Sequence, residues 1–208
     1  MITLIQSVLS AVYKCAIPFV LNRGEIPRIL NARGLVGDGA EVGVKCGQFS
    51  EFILGSWKGR RLYSIDPWRE FDTSLYHDED NVSQNEHEQN YGITSRRLAK
   101  FGDRSVLMRM TSDEAARAIP DGSLDFAYLD ARHDYASVVE DIGLWYPKIK
   151  PGGVLAGHDY MKFEKIGDTM FGVKRAVDEF VARERIGRLW VTVREPIYKS
   201  WMVFKPGA

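Results

Sequence analysis

Apolar positions along this chain recur in two rhythms. Short apolar runs stop at an acid, a glycine or a proline, as buried strands do. Between them lie stretches whose apolar residues return every three or four positions, as on one face of a helix. Residues 41–44 form the first run, and the following helix, 49–57, places Phe49, Phe52, Ile53 and Trp57 on one side. A second run, 61–66, is stopped by Pro67. Residues 105–110 predict a third strand and 112–118 a short helix. Residues 124–130 predict a fourth strand with a carboxylate, Asp130, at its end. Helix 134–146 follows, with Val138, Ile142 and Trp145 on one face, and then a fifth strand at 153–157. A helix over 172–185 carries Val173, Val177, Phe180 and Val181. Runs 189–193 and 200–204, turning near Glu195 and Pro196, read as an antiparallel hairpin. Strands alternating with helices predict an α/β fold: a doubly wound, mostly parallel seven-stranded sheet, covered on both faces and closed by that hairpin.

Two stretches break the rhythm. The span from Ile2 to Leu21 is mostly apolar, yet Gln6, Tyr13 and Lys14 interrupt it, no basic region precedes it, and no small-residue cleavage site follows. It reads as a helix that packs on the domain or a partner, with a membrane-surface anchor as the alternative; breaks are expected near Pro18 and Pro27. Residues 69–90 are polar, acidic and long for a connection, so they read as a lid or a poorly ordered insert, with helix 85–100 at its far end. These features divide the chain into an N-terminal helical segment, 1–35, and one domain, 36–208.

Composition narrows the picture. The 208 residues suit one α/β domain. Lys and Arg number 28, Asp and Glu 28, and no long basic run occurs, which argues against a nucleic-acid partner. Cys15 and Cys46 lack metal-ligand spacing and fit a reducing, cytoplasmic setting.

Candidate chemistry concentrates at strand ends. Glu41 to Gly47 run from a strand through a glycine turn into a helix N-terminus, a construction that holds nucleotide-like ligands. Gly39, Gly43 and Gly47 are spaced by four, so the dinucleotide pattern G-x-G-x-x-G is absent and E-x-G-x-x-x-G stands instead. Asp66 ends the next strand about 20 residues on, where such folds place an acid on ribose hydroxyls.

These residues, with Ile65-Asp66-Pro67-Trp68, Tyr128-Leu129-Asp130 and Pro151-Gly152-Gly153, resemble the successive motifs of class I S-adenosylmethionine-dependent methyltransferases. The likeness spans about residues 36–204 and is best to the small-molecule O-methyltransferases related to the macrocin and catechol enzymes. Lys45 stands where that family's middle glycine falls. The resemblance implies S-adenosylmethionine as cofactor. Glu41 projects into its crevice, Gly43 and Gly47 flank its methionine part, and Asp66 takes its ribose. Thr111, Ser112 and Asp113 lie near the adenine, and Asp130 touches the cofactor; Trp68 either covers a ring face or, as an aromatic after a strand more often does, simply joins the core.

Catechol-type enzymes hold a divalent metal after the fourth and fifth strands, and Asp130, His158 and Asp159 fall at those positions. Oxygen ligands suit Mg²⁺, whereas an imidazole favours Mn²⁺, Fe²⁺ or Zn²⁺. His133 falls where that type carries its general-base lysine, and near its free pKa it would deprotonate a hydroxyl at neutral pH. The plainer alternative makes Asp134 a helix cap, His133 and His158 loop residues, and Asp130 a cofactor contact only. The expected function is methyl transfer to an oxygen of a small molecule, metal-assisted, with no membrane span and with homo-oligomerisation through the N-terminal helix. The rivals are a nicotinamide-dependent oxidoreductase and a non-catalytic cofactor-binding module.

Overall fold

The computed structural model describes residues 19–72, 78, 80–166 and 169–207. The strands are β1 (Asp38–Val42), β2 (Arg61–Ile65), β3 (Ser105–Met108), β4 (Leu124–Leu129), β5 (Ile149–Gly157), β6 (Lys165–Ile166), β7 (Thr169–Met170), β8 (Trp190–Val191) and β9 (Trp201–Phe204). Seven of them make one sheet in the order β3-β2-β1-β4-β5-β9-β8. Neighbours from β3 to β5 are parallel, while β9 is antiparallel to both β5 and β8. The expected doubly wound sheet with a terminal hairpin is the one observed. Its strand order reverses between β1 and β4, and open α/β sheets bind ligands outside the carboxyl ends of the strands at such a point.

The helices are α1 (Ile26–Ala32), α2 (Gln48–Ser56), α3 (Gln84–Leu98), α4 (Ser112–Ala118), α5 (Tyr135–Trp145) and α6 (Val173–Arg183). One face of the sheet buries Val42, Ile65, Ala127 and Leu155 with Ala115, Ile142, Trp145, Val177 and Phe180 of α4, α5 and α6. The other buries Leu62, Phe126, Tyr128 and Met202 with Ile29, Leu30, Ile53, Leu54 and Leu98 of α1, α2 and α3. Burial on both faces is why the central strands read as continuous apolar runs rather than alternating ones.

Several boundaries moved. β1 starts at Asp38, whose carboxylate is buried against Arg60 at 2.6–2.8 Å. β5 starts at Ile149, since Gly152 takes a left-handed conformation (φ 77°) that lets the strand continue past Pro151. Pro27 starts α1 rather than breaking it, because the first helical turn needs no backbone donor. Helix α3 is capped by Ser83 and gives way to a 3₁₀ segment, Ala99–Arg104. The β6–β7 hairpin was not expected, and β8 is only two residues long. Most of the apolar span 2–21, and residues 73–77 and 79 of the 69–90 stretch, lie outside the described residues. Among the described residues no helix is long and apolar enough to cross a membrane.

Candidate functional site

A cleft of about 430 Å³ opens at the carboxyl ends of the strands, within the roughly 300–1,000 Å³ usual for ligand sites. Its floor is the β1–α2 turn. Gly43 has φ 88°, and a Cβ there would sit 1.9 Å from the carbonyl oxygen of Asp130, so only glycine fits. Lys45, standing for the family's middle glycine, takes the left-handed conformation a glycine would (φ 51°). That costs a residue with a Cβ about 1–2 kcal/mol, and the surroundings hold it in place. Asp66 accepts from the Val44 and Lys45 amides at 3.0 and 2.9 Å. The Lys45 carbonyl accepts from Trp68 Nε1 at 2.7 Å and from Thr94 Oγ1 at 3.0 Å. Arg97 donates to the Cys46 carbonyl at 2.8 Å.

Three residues expected at the cofactor stand off the cleft. Trp68 is fully buried behind the turn, against Tyr91, and covers no ring in the cleft; its left-handed backbone (φ 42°) points its indole at Lys45. Thr111 and Asp113 also stand off the cleft. Thr111 forms a capping box with Glu114, and Asp113 pairs with Arg117. Ser112 does line the cleft, between the Asp141 carboxylate to which it donates and the Trp145 indole from which it accepts. Glu41 lies at the floor, almost fully buried, accepting from Ser50, whose hydroxyl is 2.8 Å from that of Ser64. Burial pushes its carboxyl up to about 8 despite that bond, so it is protonated at neutral pH.

Beside the turn lies a charged cluster. Asp130 follows β4, His133 sits in the β4–α5 loop, and His158 and Asp159 follow β5. Asp159 holds a left-handed backbone (φ 56°) that aims one oxygen at His133 Nε2, 3.1 Å away, and the other at His158 Nδ1, 3.4 Å away. His158 Nδ1 is also 3.6 Å from Asp130. Asp130, His133 and Asp159 each offer a potential ligand atom within 4.8 Å of the others, the one such group among the described residues. The sequence-based set had His158 in the place of His133. His158 remains in the cluster, its ring 6.5 Å from that of Tyr198.

His133 does not have the free pKa expected of a base. Burial opposes its charge, but hydrogen bonds to Asp159 and to Asp78 outweigh burial and push it up to about 10. His158 is likewise pushed to about 9 by Asp130 and Asp159 against its burial. Both imidazoles are therefore cations at neutral pH in this arrangement, and a cation cannot take a proton. Asp134, as the plainer alternative had it, caps α5 through the Ser137 amide.

Sequence reasoning missed the cleft's other walls. Arg23 lies over the Phe49 ring, 3.4 Å from Asp130. Its backbone is held by Glu195, which also takes the Ser200 amide and the Thr192 hydroxyl. Phe171 stacks on His133 at 5.2 Å and lies 6.2 Å from Tyr198. Asp78 reaches His133 Nδ1 at 2.8 Å, and Asp80 pairs with Lys45 at 2.6 Å. Arg23, Phe171, Glu195 and Tyr198 come from segments without periodic patterning, so nothing in the sequence tied them to the strand ends; Asp78 and Asp80 belong to the 69–90 stretch read as a lid or insert, but no partner was assigned to them.

A family model described as a methyltransferase domain matches residues 40–160. The uncharacterized protein y4gI of Sinorhizobium fredii is 28% identical over 131 residues, 62% of this chain and 13% of that protein; the chain thus spans a small fraction of this relative's length. An O-methyltransferase from Bacillus cereus, solved in complex with SAH, matches with a TM-score of 0.62 at 15% identity, covering 96% of this chain and 90% of that one. An rRNA methylase from Streptococcus thermophilus matches with a TM-score of 0.54 at 16% identity, covering 99% and 96%. At these identities the solved structures show the fold. Together with the family match over residues 40–160, which spans the glycine turn, Asp66 and Asp130, they make this chain a member of the class I S-adenosylmethionine-dependent methyltransferases.

Proposed function

We propose that the chain transfers the methyl group of S-adenosylmethionine to an oxygen of a small molecule, with a divalent cation positioning the acceptor. One observation carries this reading: Asp130 belongs both to the turn, through its carbonyl under Gly43, and to the Asp/His cluster, through its carboxylate. Donor and acceptor sites therefore adjoin at one residue. Bound S-adenosylmethionine supplies an activated sulfonium methyl, so the protein's main task is alignment. Gly43 and Gly47 would flank the methionine part, Asp66 would accept from the ribose, and Ser112 would lie beside the adenine. Trp68, Thr111 and Asp113 would shape these segments from behind.

The cluster's donors fit a cation. Two carboxylates and an imidazole suit Mn²⁺ or Fe²⁺ better than Mg²⁺. Asp130, His133 and Asp159 would hold it, with His158 beside them. A cation there would bind the acceptor's oxygen and lower its hydroxyl pKa. His133 would then serve as a ligand rather than as the base. The balance of 28 Lys and Arg against 28 Asp and Glu, with no long basic run, supports a small acceptor over a nucleic acid.

Calorimetry with S-adenosylhomocysteine and with NAD, followed by transfer of labelled methyl to a metabolite panel with and without chelator, tests this. The expected results are binding of the sulfur ligand alone and chelator-sensitive transfer. Activity that survives exhaustive chelation would remove the cation, and labelled RNA without labelled metabolites would overturn the acceptor class.

A further inference from the structure

His133 is held on both ring nitrogens by carboxylates of different origin. Asp159, at Nε2, belongs to the cation cluster. Asp78, at Nδ1, comes from the connection between β2 and α3, and its side chain is 5% exposed. Phe71 and Asn81 of the same connection line the cleft, and Asn81 is tied to the Phe71 backbone by two hydrogen bonds of 2.9 Å. A neutral imidazole has one donor nitrogen and one acceptor nitrogen, and the bond made at one decides the other. Ligating histidines commonly donate their remote N–H to a carboxylate, which fixes both tautomer and ring orientation. Asp78 stands at that remote position, and Phe171 stacks on the ring to fix its plane. His158 is built differently: the two carboxylates near it, Asp130 and Asp159, are cluster members and both face Nδ1.

We propose that Asp78 is the positioning residue of the cation site: it accepts Nδ1–H of His133, leaving Nε2 as the ligating nitrogen beside Asp159 and Asp130. The inference rests on the cation reading above and deepens it. The connection that walls the cleft then also completes the cation site, so a binding determinant lies far in sequence from every ligand.

Mn²⁺ titration of the full chain, followed by electron paramagnetic resonance, tests this. Asp78→Ala should weaken Mn²⁺ binding about 10–100-fold, and Asp78→Glu should restore most of it. S-adenosylhomocysteine affinity by calorimetry should stay at the wild-type value in both. Should the alanine variant not fold, Asp78→Asn keeps the volume and should weaken Mn²⁺ binding in the same direction. In the Zn²⁺-loaded wild type, long-range ¹H–¹⁵N spectra should place the His133 proton on Nδ1, and the Asp78 variants lacking a carboxylate should show mixed tautomers. Wild-type Mn²⁺ affinity in Asp78→Ala, with binding lost in Asp159→Ala, would overturn the role of Asp78 alone. Absence of Mn²⁺ binding in the wild type, or equal binding in Asp159→Ala, would overturn the cation reading and this inference with it.

Discussion

The two halves of the cleft are built by opposite means. The turn half is backbone: Gly43, Lys45 and Gly47 in left-handed conformations, with amides and carbonyls tied to Asp66, Trp68, Thr94 and Arg97. Its one buried acid, Glu41, is kept neutral. The cluster half is side chain: carboxylates and imidazoles held charged by one another, contributed from the ends of β4 and β5 and from the connection after β2. A site that must recognise a constant cofactor is fixed by backbone shape. The half proposed to hold a cation and an acceptor is fixed by charge balance, which a single substitution can reset without moving the backbone.

That contrast can be broken at either end. Gly43→Ala should have the largest effect, because the new methyl meets the Asp130 backbone at 1.9 Å at a φ of 88°. Overpacking and left-handed strain together should cost about 2–5 kcal/mol, seen as a lowered denaturation midpoint and lost S-adenosylhomocysteine binding. Glu41 should give a stability that depends on pH in one direction. Its folded pKa of about 8 lies above the unfolded value of 4.5, so its contribution is whole below pH 4.5 and is lost as pH rises through 8. Glu41→Gln should flatten that fall, by a few kcal/mol at about 1.4 kcal/mol per pKa unit; an unchanged slope in urea titrations between pH 5 and 8 would place the charge elsewhere. Asp159→Ala should cost about 3 kcal/mol in metal-free protein, since it strips a buried carboxylate from two imidazoles, and should abolish Mn²⁺ binding while sparing S-adenosylhomocysteine. Loss of both ligands together would mean the halves are not separable. Trp68→Phe should be the mildest, about 1 kcal/mol for the lost indole bond to Lys45, with cofactor-product affinity falling and Mn²⁺ affinity unchanged.

The same contrast governs what the sequence reveals. The turn half lies within a dozen consecutive residues plus Asp66, and central strands buried on both faces announce themselves as apolar runs. Fold class and the place of the cleft were legible for that reason, whereas the strand order came only with the structure. Roles within the cleft were less so. Trp68 follows a strand end, which left open a ring-covering role or a place in the core; its positive φ turns it under the turn and into the core. His133 was expected at its free pKa because nothing nearby in sequence shows Asp78 arriving from 55 residues away. The choice between His133 and His158 depends on which ring nitrogen meets which carboxylate, a matter of loop geometry rather than of spacing. The two-residue β8 was blurred because Thr192 and Ser200 spend their polar groups on Glu195 and each other instead of on a longer ladder.

That Glu195 junction has a mechanical meaning. The carbonyls of Val20 and Leu21 accept from the amides of Val193 and Arg194, Glu195 grips the Arg23 amide, and the Arg23 guanidinium reaches Asp130. A pull on residue 19 is thus resisted first by the loop between β8 and β9, not by α1. The same load runs two bonds further, through Arg23 into the Asp130 carboxylate where the two halves of the cleft meet, which makes the segment around residue 20 a handle on the cleft.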